Sequence, residues 1–171
     1  MKQALVVLAA LAFIGCAGPS PSAAPTPADP PVAWRLVAAF DRGAQWAYTV
    51  RVATSEGEWS ALWTELSPGL AEPEIDLATN IAVVFADGTG GPGNCSERRL
   101  DGVVIDPARS LVFARIVDPL APRGCDSMLG GSSVFVVALA RAVLPPPPVT
   151  IQLSEECLGC DGTGRIVLDE L

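Results

Sequence analysis

The sequence predicts a β-rich α+β domain: a mostly antiparallel sheet of about seven to eight strands carrying one amphipathic helix. Two observations carry that expectation. Short apolar runs, either alternating or continuous, recur between clusters of Gly, Pro, Asp and Ser, which is how strands and their turns read. A single stretch repeats its apolar residues with helical period instead. Strands joined by short turns favour antiparallel pairing, with the helix packed on one face or at one end of the sheet. No internal repeat is present.

The elements follow in order. Residues 35–40 form a short strand, and Asp41, Arg42 and Gly43 form a turn. Residues 46–53 alternate, with Tyr48, Val50 and Val52 on one side and Thr49 and Arg51 on the other, so they are expected to pair with the first strand as a hairpin. Ser55 and Glu58 make the Ser-x-x-Glu signature of a capping box. Trp59, Leu62, Trp63 and Leu66 then recur at i, i+3, i+4 and i+7, and Ser67-Pro68-Gly69 ends the helix. That spacing explains the tryptophans as core anchors, without a ligand platform. After the loop of residues 72–76, residues 80–86 are nearly all apolar, as in a central strand. Residues 87–95 form a long glycine-rich loop. Residues 99–105 and 111–117 flank a turn at 106–110 and read as a hairpin. An irregular stretch, 118–132, leads to a buried strand at 134–139. A polyproline connector, 144–148, precedes strands at 149–153 and 165–168.

The first residues concern location. Met1-Lys2 is positively charged, an apolar run of residues 4–14 follows, and Gly15-Cys16 closes it; this is the pattern of a secretory signal peptide. The apolar run is shorter than the roughly 20 residues of a membrane span. Phe13-Ile14-Gly15-Cys16 resembles a bacterial lipobox. The resemblance implies a signal peptide over residues 1–15, acylation of Cys16 with palmitate-type chains, and Cys16 as the mature N-terminus. An ordinary signal peptide with an incidental cysteine is the alternative. Several acyl chains on one residue would anchor firmly where one would not. Residues 16–33 are rich in Pro, Ala and Ser and are expected to act as an extended tether, leaving 34–171 as a single β-rich domain. Ala17 after the cysteine favours sorting to the outer membrane in an organism with two membranes. The expected location is therefore the cell envelope, with the membrane as a partner through the lipid.

Charge excludes several functions. Lys2 is the only lysine, and without it ten arginines face nineteen carboxylates. Nucleic-acid phosphates require a basic patch, so no nucleic-acid partner is expected. The chain has no histidine, which removes His-based triads, His metal sites and the usual acid–base residue at neutral pH. The carboxylates are scattered through turns and read as solvated. No catalytic residue, metal or cofactor is expected.

Four cysteines besides Cys16 remain: Cys95, Cys125, Cys157 and Cys160. In an exported protein an even set favours disulfides, with three possible connectivities. Cys95–Cys125 and Cys157–Cys160 are preferred, because each pair sits in loop-like sequence. The first would close a loop of about thirty residues, worth on the order of 3 kcal/mol. Cys157-x-x-Cys160-x-Gly162-x-Gly164 matches one unit of the DnaJ-type zinc module, but zinc needs four ligands and one unit supplies two. A redox C-x-x-C normally opens a helix, and this one is followed by Asp-Gly-Thr-Gly. Residues 87–93 lack the Gly-Lys-Ser/Thr of a phosphate loop. They read better as a loop presenting backbone groups to a partner, with Gly88, Thr89, Gly91 and Asn94 as candidate binding residues facing residues 118–132.

A longer pattern joins these parts. Trp59-x-x-Leu62-Trp63 is followed by Pro73-Glu74-Ile75-Asp76, the apolar strand 81–86, a glycine-rich turn through Gly88 and Gly91, two paired strands, and Val117-Asp118-Pro119. Over residues 46–140 this resembles the PrcB C-terminal domain family, named for a lipoprotein that accompanies a secreted surface protease. Where that family usually has Gly-Tyr after the turn, this chain has Gly93-Asn94-Cys95. The resemblance implies a non-enzymatic domain that binds or stabilises another exported protein. The alternatives are an exported thiol-redox or metal-binding protein using Cys157 and Cys160, and a protease inhibitor.

Overall fold

A computed structural model describes residues 32–43, 46, 48–67, 69–90, 98–117, 131–155 and 164–171. The chain separates into a unit of residues Met1–Pro30 and a second unit, Pro31–Leu171, which holds all the described residues.

Among the described residues, the second unit has eight strands and one α-helix: β1 (Trp34–Gly43), β2 (Thr49–Ala53), α1 (Glu56–Leu66), β3 (Asn80–Gly90), β4 (Arg99–Asp106), β5 (Leu111–Val117), β6 (Gly131–Ala140), β7 (Val149–Gln152) and β8 (Arg165–Leu168). The β-rich α+β class read from sequence holds. The strands are divided between two four-stranded sheets, ordered β1-β6-β3-β2 and β4-β5-β7-β8. All pairs are antiparallel except β5 with β7.

The first sheet is the middle layer, and its sequence explains why. Residues Ile81, Ala82, Val83, Val84, Phe85 and Ala86 of β3 are all 0% exposed. Side chains alternate across a strand. Ala82, Val84 and Ala86 therefore join the core under α1, while Ile81, Val83 and Phe85 join the core against the second sheet. Val134, Val136 and Ala138 of β6 repeat the first pattern, and Val137 and Leu139 the second. A strand covered on both faces has no polar face to show, hence the continuous apolar runs.

The helix forms as expected. The Ser55 hydroxyl accepts from the Glu58 N–H and the Glu58 carboxylate accepts from the Ser55 N–H, so the capping box is complete. Gly69, with φ +84°, follows the helix end in a left-handed conformation that costs other residues a Cβ clash. Trp59 and Trp63 are buried, as their spacing implied. Their indole N–H groups donate to the carbonyls of Pro73 and Leu70, which fastens the following loop over the helix. The alanines at 53, 82, 86 and 138 share this core and leave room for the two large rings.

Three local expectations are corrected. The strands containing residues 35–40 and 49–53 do not form a hairpin. They occupy opposite edges of the first sheet, β1 against β6 and β2 against β3. Their sequence separation is short, but both central strands bury more apolar surface, and each edge strand pairs with one of them. The glycine-rich stretch does not begin at Asp87. β3 runs on to Gly90, which pairs with Gly131 after one extra residue is accommodated as a bulge. Asp41 and Gly43 belong to β1 and pair with Ser133 and Gly131. The 99–117 hairpin forms, with Asp106 accepting from the N–H groups of Ala108 and Arg109 at its turn.

Three carboxylates are held below their ordinary range by these local bonds. The Thr54 N–H and hydroxyl lower Glu58, the Thr79 hydroxyl followed by the Ala78 N–H lowers Asp76, and the Arg109 guanidinium lowers Asp106. A group whose pKa is lower in the folded chain contributes its stability above the unfolded pKa and loses it as pH falls through the folded one. Thermal stability is therefore level above about pH 5 and declines as pH falls below about 4, where free carboxylates titrate. The combined Glu58→Gln, Asp76→Asn and Asp106→Asn variant, melted across that range, shows a shallower acid limb. An unchanged limb would refute the assignment.

Candidate functional site

The registers give the domain two distinct ends. At one, Trp34 pairs with Leu139 and Asn80 with Ala140. At the other, Gly131 pairs with both Gly43 and Gly90, and Thr49 pairs with Ala86. At a strand rise near 3.3 Å, the ten residues of β1 separate these ends by about 30 Å. The second sheet is oriented the same way. Arg98, just before β4, pairs with Asp87 near the end of β3. A groove joins Tyr48 and Asp87 of the first sheet's end to residues 113–116 of β5 and 153–155 after β7.

Four strand connections therefore leave the Gly90 end: β1 to β2, β3 to β4, β5 to β6 and β7 to β8. The polypeptide preceding β1 enters the opposite end. The connections between β3 and β4 and between β5 and β6 start and finish on paired strands, Gly90 with Gly131 and Arg99 with Val117. They are the segments that contain Cys95 and Cys125. Gly88 and Thr89 lie on the backbone of β3 rather than in a loop. Gly91, Asn94, Cys16, Cys95, Cys125, Cys157 and Cys160, and with them both expected disulfides, lie outside the described residues. Among the described residues, no group of three or more His, Cys, Asp or Glu is placed to hold a metal ion.

Polar residues between this end and the β4–β5 turn form a built framework. The Gln152 side chain is 3% exposed. Its amide donates to the carbonyls of Ser154 and Glu155, and its oxygen accepts from the Arg165 guanidinium. With the Leu153 N–H donating to the Gly164 carbonyl, both ends of the connection that bears Cys157 and Cys160 are fixed. Arg109 bridges Asp106 and Glu155, at 2.6 and 2.8 Å, and those two carboxylates raise its pKa further. The groove between Tyr48, Asp87, Ile116, Leu153 and Glu155 has a volume of about 370 Å³. Tyr48, the only tyrosine of the chain, sits at its edge with φ +52°. That conformation is uncommon for a bulky residue and stores strain of the kind found near binding sites.

Sequence reading found the connections but missed the groove. Tyr48 looked like one position in an alternating strand, and Asp87 like the first residue of a loop. The one local signal was Gln152, a polar residue between Ile151 and Leu153. No helix among the described residues is long and apolar enough to cross a membrane. Compared with models of known families, with curated proteins and with solved structures, the chain has no match in any of the three.

Proposed function

We propose that this chain is a membrane-anchored lipoprotein of the cell envelope, without catalytic activity, that binds or stabilises another exported protein. What supports the reading is the polarity of the domain. The tether leads into the Trp34 end, while the four connections leave some 30 Å away at the Gly90 end. A domain held by Cys16 at one end presents the other to the space beyond the membrane. The strand scaffold supplies rigidity, and the connections supply the variable contact surface. Cys95 and Cys125 would cross-link the two neighbouring connections and lower the ordering cost of binding. Cys157 and Cys160 would close the third. The element order resembling the PrcB C-terminal domain family points in the same direction, toward a protein that accompanies a protease.

Intact mass measurement on the protein purified from its native membrane tests the anchor and the cross-links together. The expected result is a lipid mass on Cys16 and a gain of four hydrogens on reduction, from two disulfides. The same purification co-isolates one exported protein, and replacing Cys95 and Cys125 with alanine lowers its recovery. Free thiols at Cys157 and Cys160, or a metal released with them, would make the C-x-x-C the working site instead.

A further inference from the structure

The two strands of the parallel pair end at different places. β7 pairs with β5 only from Leu111 to Phe113. β5 continues for four more residues, to Val117, paired on its other side with β4. The Ser110 carbonyl accepts from the Thr150 N–H and so faces β7. Backbone direction alternates every residue along a strand. Val112, Ala114 and Ile116 therefore turn their N–H and C=O groups to that same side. Beyond Phe113, no strand among the described residues lies against it. The chain leaves β7 through Leu153, Ser154 and Glu155, and the groove opens in the gap between them and residues 113–116.

A row of outward N–H and C=O groups in a half-closed groove has one good complement, which is another extended backbone. A small ligand would satisfy one such group and leave the next unmatched. A folded domain is too large for a groove of about 370 Å³, a volume suited to a few residues of extended chain. The walls fit the same occupant. Ala114 and Ile116 pack toward the core between the sheets, and Leu153 and Tyr48 add apolar and aromatic surface for alternate side chains. Arg115 is 60% exposed and lies 3.6 Å from Asp101, a weak pair. Glu155 also lines the opening and is paired with Arg109, so each charge at the groove already has an opposite charge beside it and an uncharged segment suits the site.

We propose that residues 114–117 of β5 form a docking edge, to which an extended, largely apolar segment of the exported partner adds as a strand. The site lies at the end of the domain opposite Trp34, where an anchored molecule meets its partner. This rests on the reading that the chain binds an exported protein, and specifies how it does so.

The test uses the full lipidated chain in its native membrane, with the photoreactive residue p-benzoylphenylalanine in place of Arg115. Irradiation is expected to join it to an exported protein, and peptide mass spectrometry to locate the adduct in one short segment. Ile116→Pro removes the outward N–H at the centre of the edge and should lower the adduct at least tenfold, while Ile116→Leu leaves it intact. Should Ile116→Pro not fold, hydrogen exchange on the parent protein decides: partner binding slows exchange of residues 114–117 at least fivefold if a strand is added there. Adducts confined to residues 118–130 or 156–163 of the same chain, or to a second copy, overturn the proposal. So does an exported-protein adduct that Ile116→Pro leaves unchanged in a folded variant, or unchanged exchange at 114–117. In those cases the partner still co-purifies and the broader reading stands. If no exported protein co-purifies at all, that reading fails and takes the docking edge with it.

Discussion

Replacing Trp63 with alanine lowers the unfolding free energy by about 3–5 kcal/mol, the cost typical of truncating a buried large aromatic. The ring is 5% exposed. It meets Phe40 of β1 edge-on, with centroids 6.0 Å apart, and lies 5.4 Å from the Trp59 ring. It thus joins the helix to the outer strand of the middle sheet. Its N–H donates to the Leu70 carbonyl at 3.3 Å, so truncation also releases the loop that returns from α1. The neighbouring alanines cannot grow to fill the space, and the resulting cavity stays largely open. Against a total stability of about 5–15 kcal/mol for a typical domain, the loss is large. Urea unfolding followed by far-ultraviolet circular dichroism reports it as a lower midpoint with little change in slope. Trp63→Phe keeps the edge contact, loses the hydrogen bond, and should recover more than half. A loss under about 1 kcal/mol for the alanine variant would mean that the helix is not held by this core. The docking proposed for residues 114–117 should be unaffected in molecules that remain folded, because Trp63 and β5 pack on opposite faces of the middle sheet.

The helix and the central strands were legible because local pattern and burial agree. One 3.6-period stripe needs one apolar surface to rest on, and Trp59, Leu62, Trp63 and Leu66 found it on the alanine-rich face of the middle sheet. The runs 81–86 and 134–139 are too apolar for a half-buried strand, and both lie in the layer covered on two sides. Pairing partners were less legible. The choice of β6 for β1 depends on residues nearly a hundred positions away, and nothing within residues 34–53 encodes it. The parallel contact of β5 with β7 spans three residues and likewise has no local signature. The groove is a consequence of where strands stop. β7 ends at Gln152 and β5 at Val117, and a period-two pattern marks both strands without marking their unequal reach. The connections rich in Gly, Pro and Cys read as loops in the sequence and lie largely outside the described residues. Their gathering at one end follows from strand direction, which only the complete topology fixes.

Arg141→Ala is expected to cost about 2–4 kcal/mol, because it strips donors from three partly buried carbonyls at once. Arg141 follows β6, and its guanidinium reaches three carbonyls on two segments. It donates to Thr54 just before α1, at 2.6 Å, to Leu77 at 3.3 Å and to Asn80 at 3.1 Å. Its own N–H donates to the Thr79 carbonyl. The side chain thereby ties the entrance of the helix to the turn that starts β3, a turn already shaped by Asp76 through Thr79 and Asn80. A fork of several planar donors is what three divergent carbonyls require. Arg141→Lys supplies one compact ammonium and should recover no more than about half of the loss. The three acceptors are backbone carbonyls, which do not titrate, so the penalty should be the same at pH 5 and pH 8. A penalty that changed with pH would implicate a carboxylate partner instead. The location supplies a further discriminating readout. Arg141 sits at the Trp34 end, so amide exchange in the Arg141→Ala variant should quicken first around residues 54–56 and 77–80. Residues 114–117, at the other end, should keep their rates and the docking proposed for them. Equal acceleration at both ends would mean that the domain opens only as a whole, and that its Gly90 end has no stability independent of its Trp34 end.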